Sequence, residues 1–587
     1  MNGELSDEGR AALEPVSDDI LVRENAGFDI WGHKAGLDHV GAAIADYDEV
    51  VLTNDTWFGP VRPYGPVFER MAQQDVDFWG MTDHAREEPN PFTGEGVLHY
   101  HLQSFWIAIR RAMFDTEAWR EYWRELPVMP GYFDAVLKHE AVFTEHFASR
   151  GYTHAAAFPS SHYPTDHPAL FNADLLIADG CPLLKRRPFF HYPPFLDRHA
   201  VIGREILQAV EGHGYPMPLI WHDLARNVAP RTLNTDAAML EVLSDFNETF
   251  DHDHARPMRI AAVVNVVHPD MTDALLDHVE RLPGEVDVFV TTNERDRANA
   301  IREILQERGR EDVELRIVPS KAGKHMSAFF IGCRDVFEPG RYDLIVKLHS
   351  KRSAKKSYNA SRYFTRHQLD NLLGSPGYAA NVISLFQREP GLGMVFPATI
   401  HTGVATMGNG WGAYRKRAEA LAHDLRIEVP IDEITPLAPF GGMWIARPEA
   451  LRRLTEREWT YEEFEPDARF PDALLGPTIE RLIANAAGEL GFHVRTVLNT
   501  EHAELSHTSL EFKLDQLSST TPGYPVEQIQ FLHRAGPTGH GGAAGLARMY
   551  LQLNHPSVAR AISPVYQVVR RVAGAGRRFL NGIGVLR

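Results

Sequence analysis

Cysteine is nearly absent from this sequence: Cys181 and Cys333 are the only two in 587 residues. No disulfide framework follows, and a reducing compartment fits best. Long apolar runs are missing too, since no stretch of about 18 such residues occurs to span a bilayer. The opening "MNGELSDEGRAALEP" has neither a basic start nor an apolar core, so it does not read as a signal peptide. A cytoplasmic protein is expected. Positive charge is in deficit, with 60 Lys and Arg against 78 Asp and Glu and a formal net charge of −18. That balance argues against general nucleic-acid binding. One stretch reverses it: Gly541 to Arg587 holds seven arginines (548, 560, 570, 571, 577, 578, 587) and no Asp or Glu. Charge is segregated, and a segregated surface speaks of partners.

The chain is 44% hydrophobic and 24% charged, and its length allows two to four domains. Strand-like runs alternate with amphipathic stretches: "DEVVLTND", "VDFWGMTD", "RIAAVVNVV", "VDVFVTT", "LRIVP", "YDLIVKLHS" and "LGMVFPA". Alternation of this kind predicts an α/β class with parallel sheets and crossover helices. Pro/Gly-rich and charged material from about Gly180 to Pro257 reads as a connecting region between two blocks.

The blocks resemble each other. "ENAGFDIWGHKAGL…YDEVVLTNDT" lines up with "SKAGKHMSAFFIG…YDLIVKLHSK", with 20 residues from Gly27 to Tyr47 and 19 from Gly323 to Tyr342. "SFWIAIRRAMF" parallels "GMWIARPEAL", and Glu140 precedes Gly151 by 11 residues, as Glu480 precedes Gly491. An ordered set of such matches argues for a duplicated domain.

This pattern is similar to family 2 glycosyltransferases of the GT-A fold. The phrases "YDEVVLTNDTWFGP", "DFWGMTD", "HLQSFWIAIRR", "KLHSKRS" and "GGMWIARPEALRRL" resemble the rhamnan synthesis protein F family of bacterial polysaccharide biosynthesis. The resemblance implies two GT-A-like (Rossmann-like) domains in tandem, at 1–175 and 258–515. A connecting region at 176–257 and a basic, helical, amphipathic tail at 516–587 complete the expected order. It also implies an inverting transferase, moving L-rhamnose from dTDP-L-rhamnose to a cell-wall or surface polysaccharide. A non-catalytic glycan-binding or assembly scaffold with the same fold is the competing expectation.

Candidate site residues follow from the same alignment. Asn25, Gly27 and Asp29 form the nucleotide-side turn, and Asn54-Asp55-Thr56 ends the strand. Asp55 would hold Mg²⁺ or Mn²⁺ on the donor diphosphate, with Asn54 or Thr56 as weaker ligands. Gln103-Ser104 and the matching Gly441-Gly442 would face the acceptor. Glu140 and Glu480 would serve as general bases. The second block puts His325 at the Asp29 position and His349-Ser350-Lys351-Arg352 at the metal position. Its basic side chains, His349, Lys351 and Arg352 with Lys347 upstream, can neutralise a diphosphate without a metal. Trp31, Trp57, Trp79 and Trp106 read mainly as packing, and "HYH" and "DHDH" as loops rather than zinc sites.

The tail's Arg-apolar interleaving suggests the anionic inner face of the plasma membrane, where a lipid-linked glycan acceptor would lie. Finally, the counterpart of Arg259 to Thr292 is missing from the first block. That block should therefore lack its first strand on the nucleotide side, with residues 1–20 pairing poorly. Either the start codon lies upstream or the missing strand is supplied in another way.

Overall fold

The computed structural model describes residues 1–245, 252–319, 325–351, 357–403, 407–519, 521 and 523–535. Beyond these it describes 547, 550–551, 555, 557–559 and 561–562. The expectation of an amphipathic basic tail therefore lies largely outside the described residues, as does Arg352. Among the described residues no helix is long and apolar enough to cross a membrane.

The protein is mixed α/β with several sheets. Its strands are β1 Glu49–Thr53, β2 Trp57–Phe58, β3 Phe78–His84, β4 His101–Leu102, β5 Trp106–Arg110, β6 His154–Phe158 and β7 Leu184–Lys185. There follow β8 Leu240–Leu243, β9 Ile260–Asn265, β10 Val286–Thr292, β11 Glu314–Ile317, β12 Leu344–His349, β13 Leu392–Pro397, β14 Trp444–Ala446 and β15 His493–Asn499. All seven strand-like runs of the sequence are strands. Their β-branched and aromatic residues suit a pleated surface, fully buried in β3, β12 and β13 and partly exposed in β1 and β11.

Neither large sheet is purely parallel, which corrects the sequence expectation. In the first, β5 runs antiparallel between β1 and β3, and β6 lies parallel to β3. In the second, β14 runs antiparallel between β12 and β13, and β15 lies parallel to β13. The short runs "WIAIR" and "WIA" are the inserted strands. The two sheets thus share one four-strand pattern. The second extends it on both sides, in the order β11-β10-β9-β12-β14-β13-β15-β8.

On the first sheet, β1 pairs with β5 alone, and no described strand takes the place that β9 has beside β12. Residues near the N-terminus make a single bridge, Asn2 with Arg23, instead of a strand. The stretch expected to connect the blocks is itself folded: β7 pairs with β2, and β8 is an edge of the second sheet.

Register corrects one sequence match. Leu52 faces Ile107 across β1 and β5, whereas Lys347 faces Trp444 across β12 and β14. Aligning "WIA" with "WIA" is therefore off by one, and Ile107, not Trp106, is the counterpart of Trp444. A one-residue slip changes the face of every side chain. Trp106 packs with Trp79 and Met71, while Trp444 packs with Phe329 and Ile479 on the side of helix Leu475–Glu489.

That same face of β12 carries Ile345 in the core, followed by Lys347 and His349, both buried. The interruption of an apolar face by two basic side chains places the second site.

Candidate functional site

In the first sheet the site begins at a turn. Gly27 has φ 77°, and a Cβ there would lie 2.3 Å from Trp31 Cδ1, so only glycine fits. The helix Phe28–Val40 starts at once and puts Asp29 in its first turn. Asp29 does not cap that helix; its Oδ2 accepts a hydrogen bond from Asn54 Nδ2 at 2.6 Å. Asn54 Oδ1 in turn accepts from Thr56 N at 3.1 Å and Thr56 Oγ1 at 2.6 Å. Asn54 and Thr56, expected as supporting ligands, are thus bonded to each other. Asp55 stands exposed beside them, and its backbone oxygen accepts from Arg186 Nη1 at 3.0 Å. Asn25 is exposed next to Gly3 and makes no described hydrogen bond to this cluster.

Gln103 and Ser104, expected to face an acceptor, are held by hydrogen bonds within the fold. Gln103 is buried, accepting from Thr82 Oγ1 at 2.6 Å and donating to His167 Nε2 at 2.7 Å. Ser104 donates twice to Glu140 Oε2, from N at 2.9 Å and from Oγ at 2.6 Å. Glu140 ends a π-turn, Val136–Glu140, ahead of helix Ala141–Ala148. Such turns recur at functional sites. Burial pushes the Glu140 carboxyl up, but His101, the Ser104 donors and Lys185 outweigh it and hold it below the usual value. Its neighbour His139 is a core residue: Tyr122 OH bonds its Nδ1 at 2.8 Å, and burial pushes it down to about 3.

Sequence reasoning missed Lys185. Pairing of β7 with β2 carries it from the supposed connecting region to the strand end, opposite Trp57. Its Nζ donates to Thr56 Oγ1 at 2.7 Å and lies 4.0 Å from the Phe105 ring centre. Burial lowers the amine to about 8 against the pull of Glu140, with Arg187 lowering it further and Asp29 and Asp55 opposing. The one available signal was a basic triplet, "KRR", inside an apolar run. His101, read as a loop residue, is buried in β4 and faces Glu140 electrostatically. Trp79 and Trp106 are core, with ring centres 4.6 Å apart; Trp31 and Trp57 pack at its margin.

In the second sheet Lys347 is fully buried. Its Nζ donates to Gly442 O at 2.6 Å and to His325 Nδ1 at 2.8 Å. Burial pushes that amine down to about 7, with Glu480 pulling the other way. His325 stacks on His349 at 4.1 Å and 5°, and its Nε2 lies 3.5 Å from Glu480 Oε1. Burial and the neighbouring lysines hold both imidazoles well below their usual value, and therefore neutral.

Glu480 is buried in helix Leu475–Glu489, and desolvation raises its carboxyl. Lys347, Arg481, Lys351 and the Gly441 N–H pull the other way. Gly442, at φ 74°, is required: a Cβ would sit 2.5 Å from His325 Cε1 and 2.9 Å from Glu480 Oε1. Gly441 and Gly442 therefore shape the Glu480 pocket from the backbone. Ser350, at the expected metal position, accepts from Val267 N and His268 N, and so fastens the loop after β9. Lys351 lies 4.4 Å from the Phe364 ring centre, and burial lowers its amine.

A cavity of about 290 Å³ opens beside Glu480 and Arg481, lined further by Phe364, Gln368, Tyr414 and Phe440. Among the described residues no group of three or more His, Cys, Asp or Glu is placed to hold a metal ion.

The family model for Rhamnan synthesis protein F matches residues 1–513. The chain belongs to the rhamnan synthesis protein F family. Membership places it in polysaccharide biosynthesis. Among solved structures, a CMP:2-keto-3-deoxy-manno-octonic acid synthetase complexed with CTP matches at 9% identity and a TM-score of 0.23. That match covers 44% of this chain and 100% of the synthetase. No curated protein matches significantly.

Proposed function

We propose that this family member is a nucleotide-sugar-dependent glycosyltransferase built from two GT-A-like units, the second of which carries out turnover. The observation that carries this reading is Glu480: a buried carboxylate whose pKa burial raises, at a cavity mouth, surrounded by Lys347, Lys351 and Arg481. A carboxylate of raised pKa is suited to take the proton of an acceptor hydroxyl. The hydroxyl oxygen bonds the anomeric carbon of the donor as its bond to the diphosphate oxygen breaks, inverting that centre. The proton passes to Glu480, and the diphosphate leaves with its electron pair. Lys351, with Arg352 next to it in sequence, would balance the charge of that leaving group. The nucleoside would lie toward β9, β10 and β11, on the side of β12 away from β14.

The donor we propose is dTDP-L-rhamnose and the acceptor a growing cell-wall or surface polysaccharide. Work at the inner face of the membrane, with the basic tail as contact, fits a lipid-linked acceptor.

In the first unit Asp55 would hold Mg²⁺ or Mn²⁺. One exposed carboxylate suits such an ion only when phosphate oxygens and water complete its shell. Bound there, the ion would supply Lewis-acid charge compensation to a diphosphate. A glycan-holding role for the first unit is favoured by one observation, the lack of any described strand on the side of β1 away from β5. The test is release of free nucleotide by the full chain from dTDP-, UDP- and GDP-sugars. The expected result is release from dTDP-L-rhamnose that rises with a rhamnan acceptor; no release from any donor would overturn the reading.

A further inference from the structure

His325 stands between Lys347 and Glu480 and has no role so far. It opens helix His325–Phe330, whose Met326, Phe329 and Phe330 share one core with Ile479 and Ile483 of helix Leu475–Glu489. That packing fixes the imidazole relative to Glu480. The ring itself is clamped. His349 lies flat on its face at 4.1 Å and 5°, and a Cβ on Gly442 would stand 2.5 Å from its Cε1.

The hydrogen bonds then select a tautomer. Lys347 Nζ has two acceptors in reach, Gly442 O at 2.6 Å and His325 Nδ1 at 2.8 Å, and as an ammonium it gives a proton to each. A neutral imidazole that accepts at Nδ1 carries its own proton on Nε2. Nε2 is the atom that faces Glu480 Oε1, at 3.5 Å. That distance is long for a hydrogen bond, and bonds of this kind tighten once the reacting groups are bound. We propose that His325 is the positioning residue of the base: set by Lys347 as the Nε2–H tautomer, it donates to Glu480 Oε1 and holds the ionised carboxylate in the orientation that receives the acceptor proton. The inference rests on the reading of Glu480 as the base. Besides Glu480, the imidazole has Lys347, His349 and Lys351 around it; Glu480 has Lys347, Lys351, Arg481 and the Gly441 N–H. A donor to the ionised carboxylate favours that form, so loss of His325 raises the Glu480 pKa and leaves less ionised base at a given pH.

The tautomer is read by long-range nitrogen–proton NMR on the full chain labelled at histidine, with the signals lost in His325→Gln assigning the ring. A neutral ring protonated at Nε2 is expected at pH 7; a proton on Nδ1 overturns the proposal. In nucleotide release, His325→Phe keeps a flat ring against His349 but has no nitrogen. Its kcat should fall at least about tenfold with KM within about twofold, and the acid limb of its pH–rate profile should move to higher pH. His325→Gln, whose amide can donate to Glu480, should recover part of kcat. An unmoved acid limb, or wild-type kcat in His325→Phe, overturns the positioning role, with unfolding midpoints checking that both variants fold. The two readings fail separately. An inactive Glu480→Gln with an Nδ1–H ring keeps the base and removes the positioning, whereas normal turnover in Glu480→Gln removes the base whatever the tautomer.

Discussion

Glu140 and Glu480 hang on one shared strand pattern and differ in how far burial is offset by the groups around them. Ser104 and Gly441 occupy the same place ahead of β5 and β14, and each gives a backbone N–H to its glutamate. Around Glu140 the strand end supplies Asn54, Asp55 and Thr56, with one lysine, Lys185, brought from elsewhere in the chain. Around Glu480 the equivalent positions supply His349, Ser350 and Lys351, with Lys347 where the first sheet has Leu52. Burial raises both carboxyls; His101, the Ser104 donors and Lys185 outweigh it in the first site, and in the second it prevails over Lys347, Arg481 and Lys351. The shared strand pattern sets where each carboxylate stands, and the balance of burial against neighbouring donors and cations decides which one is raised. The sheets diverge in the same sense. The second has β9, β10 and β11 on one side of β12, and the first has no described strand on the side of β1 away from β5.

The comparison is broken hardest at Lys347. Lys347→Leu installs the first sheet's own residue and removes a cation that lowers Glu480. The Glu480 pKa then rises further, so the fraction of ionised base at a given pH falls. The acid limb of the pH–rate profile should move to higher pH, with activity at pH 7 down at least about tenfold. An unmoved limb would show that Lys347 does not govern the base.

Asp55→Ala should abolish Mn²⁺ binding in the presence of dTDP, read by electron paramagnetic resonance. EDTA should leave turnover within about twofold, because in the proposed reaction lysine and arginine at the second site would balance the phosphate charge. Turnover lost to EDTA would move the chemistry to the first site. The smallest effect is expected at Lys185. Lys185→Met removes a cation that lowers Glu140, so the Glu140 carboxyl rises, which NMR titration of that carboxyl would follow. Turnover should change less than about threefold, and a larger fall would make the first site catalytic.

Much of the fold was legible locally. The β-branched runs gave their strands and Gly27 gave its turn, while the spacing of Glu140 to Gly151 and of Glu480 to Gly491 marked two carboxylates that the fold sets in matching places. What failed was whatever depends on partners distant in sequence. Lys185 reaches the first site only through the pairing of β7 with β2. Gln103, Asn54 and Thr56 looked available to ligands until their hydrogen bonds inside the fold were placed. The match of the two tryptophans was off by one because identical letters outweighed strand register, and register is fixed by cross-strand pairing alone.

The central claim is that the raised, lysine-surrounded Glu480 is the working base and Glu140 is not. Steady-state nucleotide release from dTDP-L-rhamnose with acceptor, compared between Glu480→Gln and Glu140→Gln in the full chain, tests it directly. The account predicts a loss of at least about 100-fold for Glu480→Gln, with Glu140→Gln within about threefold of wild type. A Glu480→Gln protein that turns over normally while Glu140→Gln is inactive would contradict it.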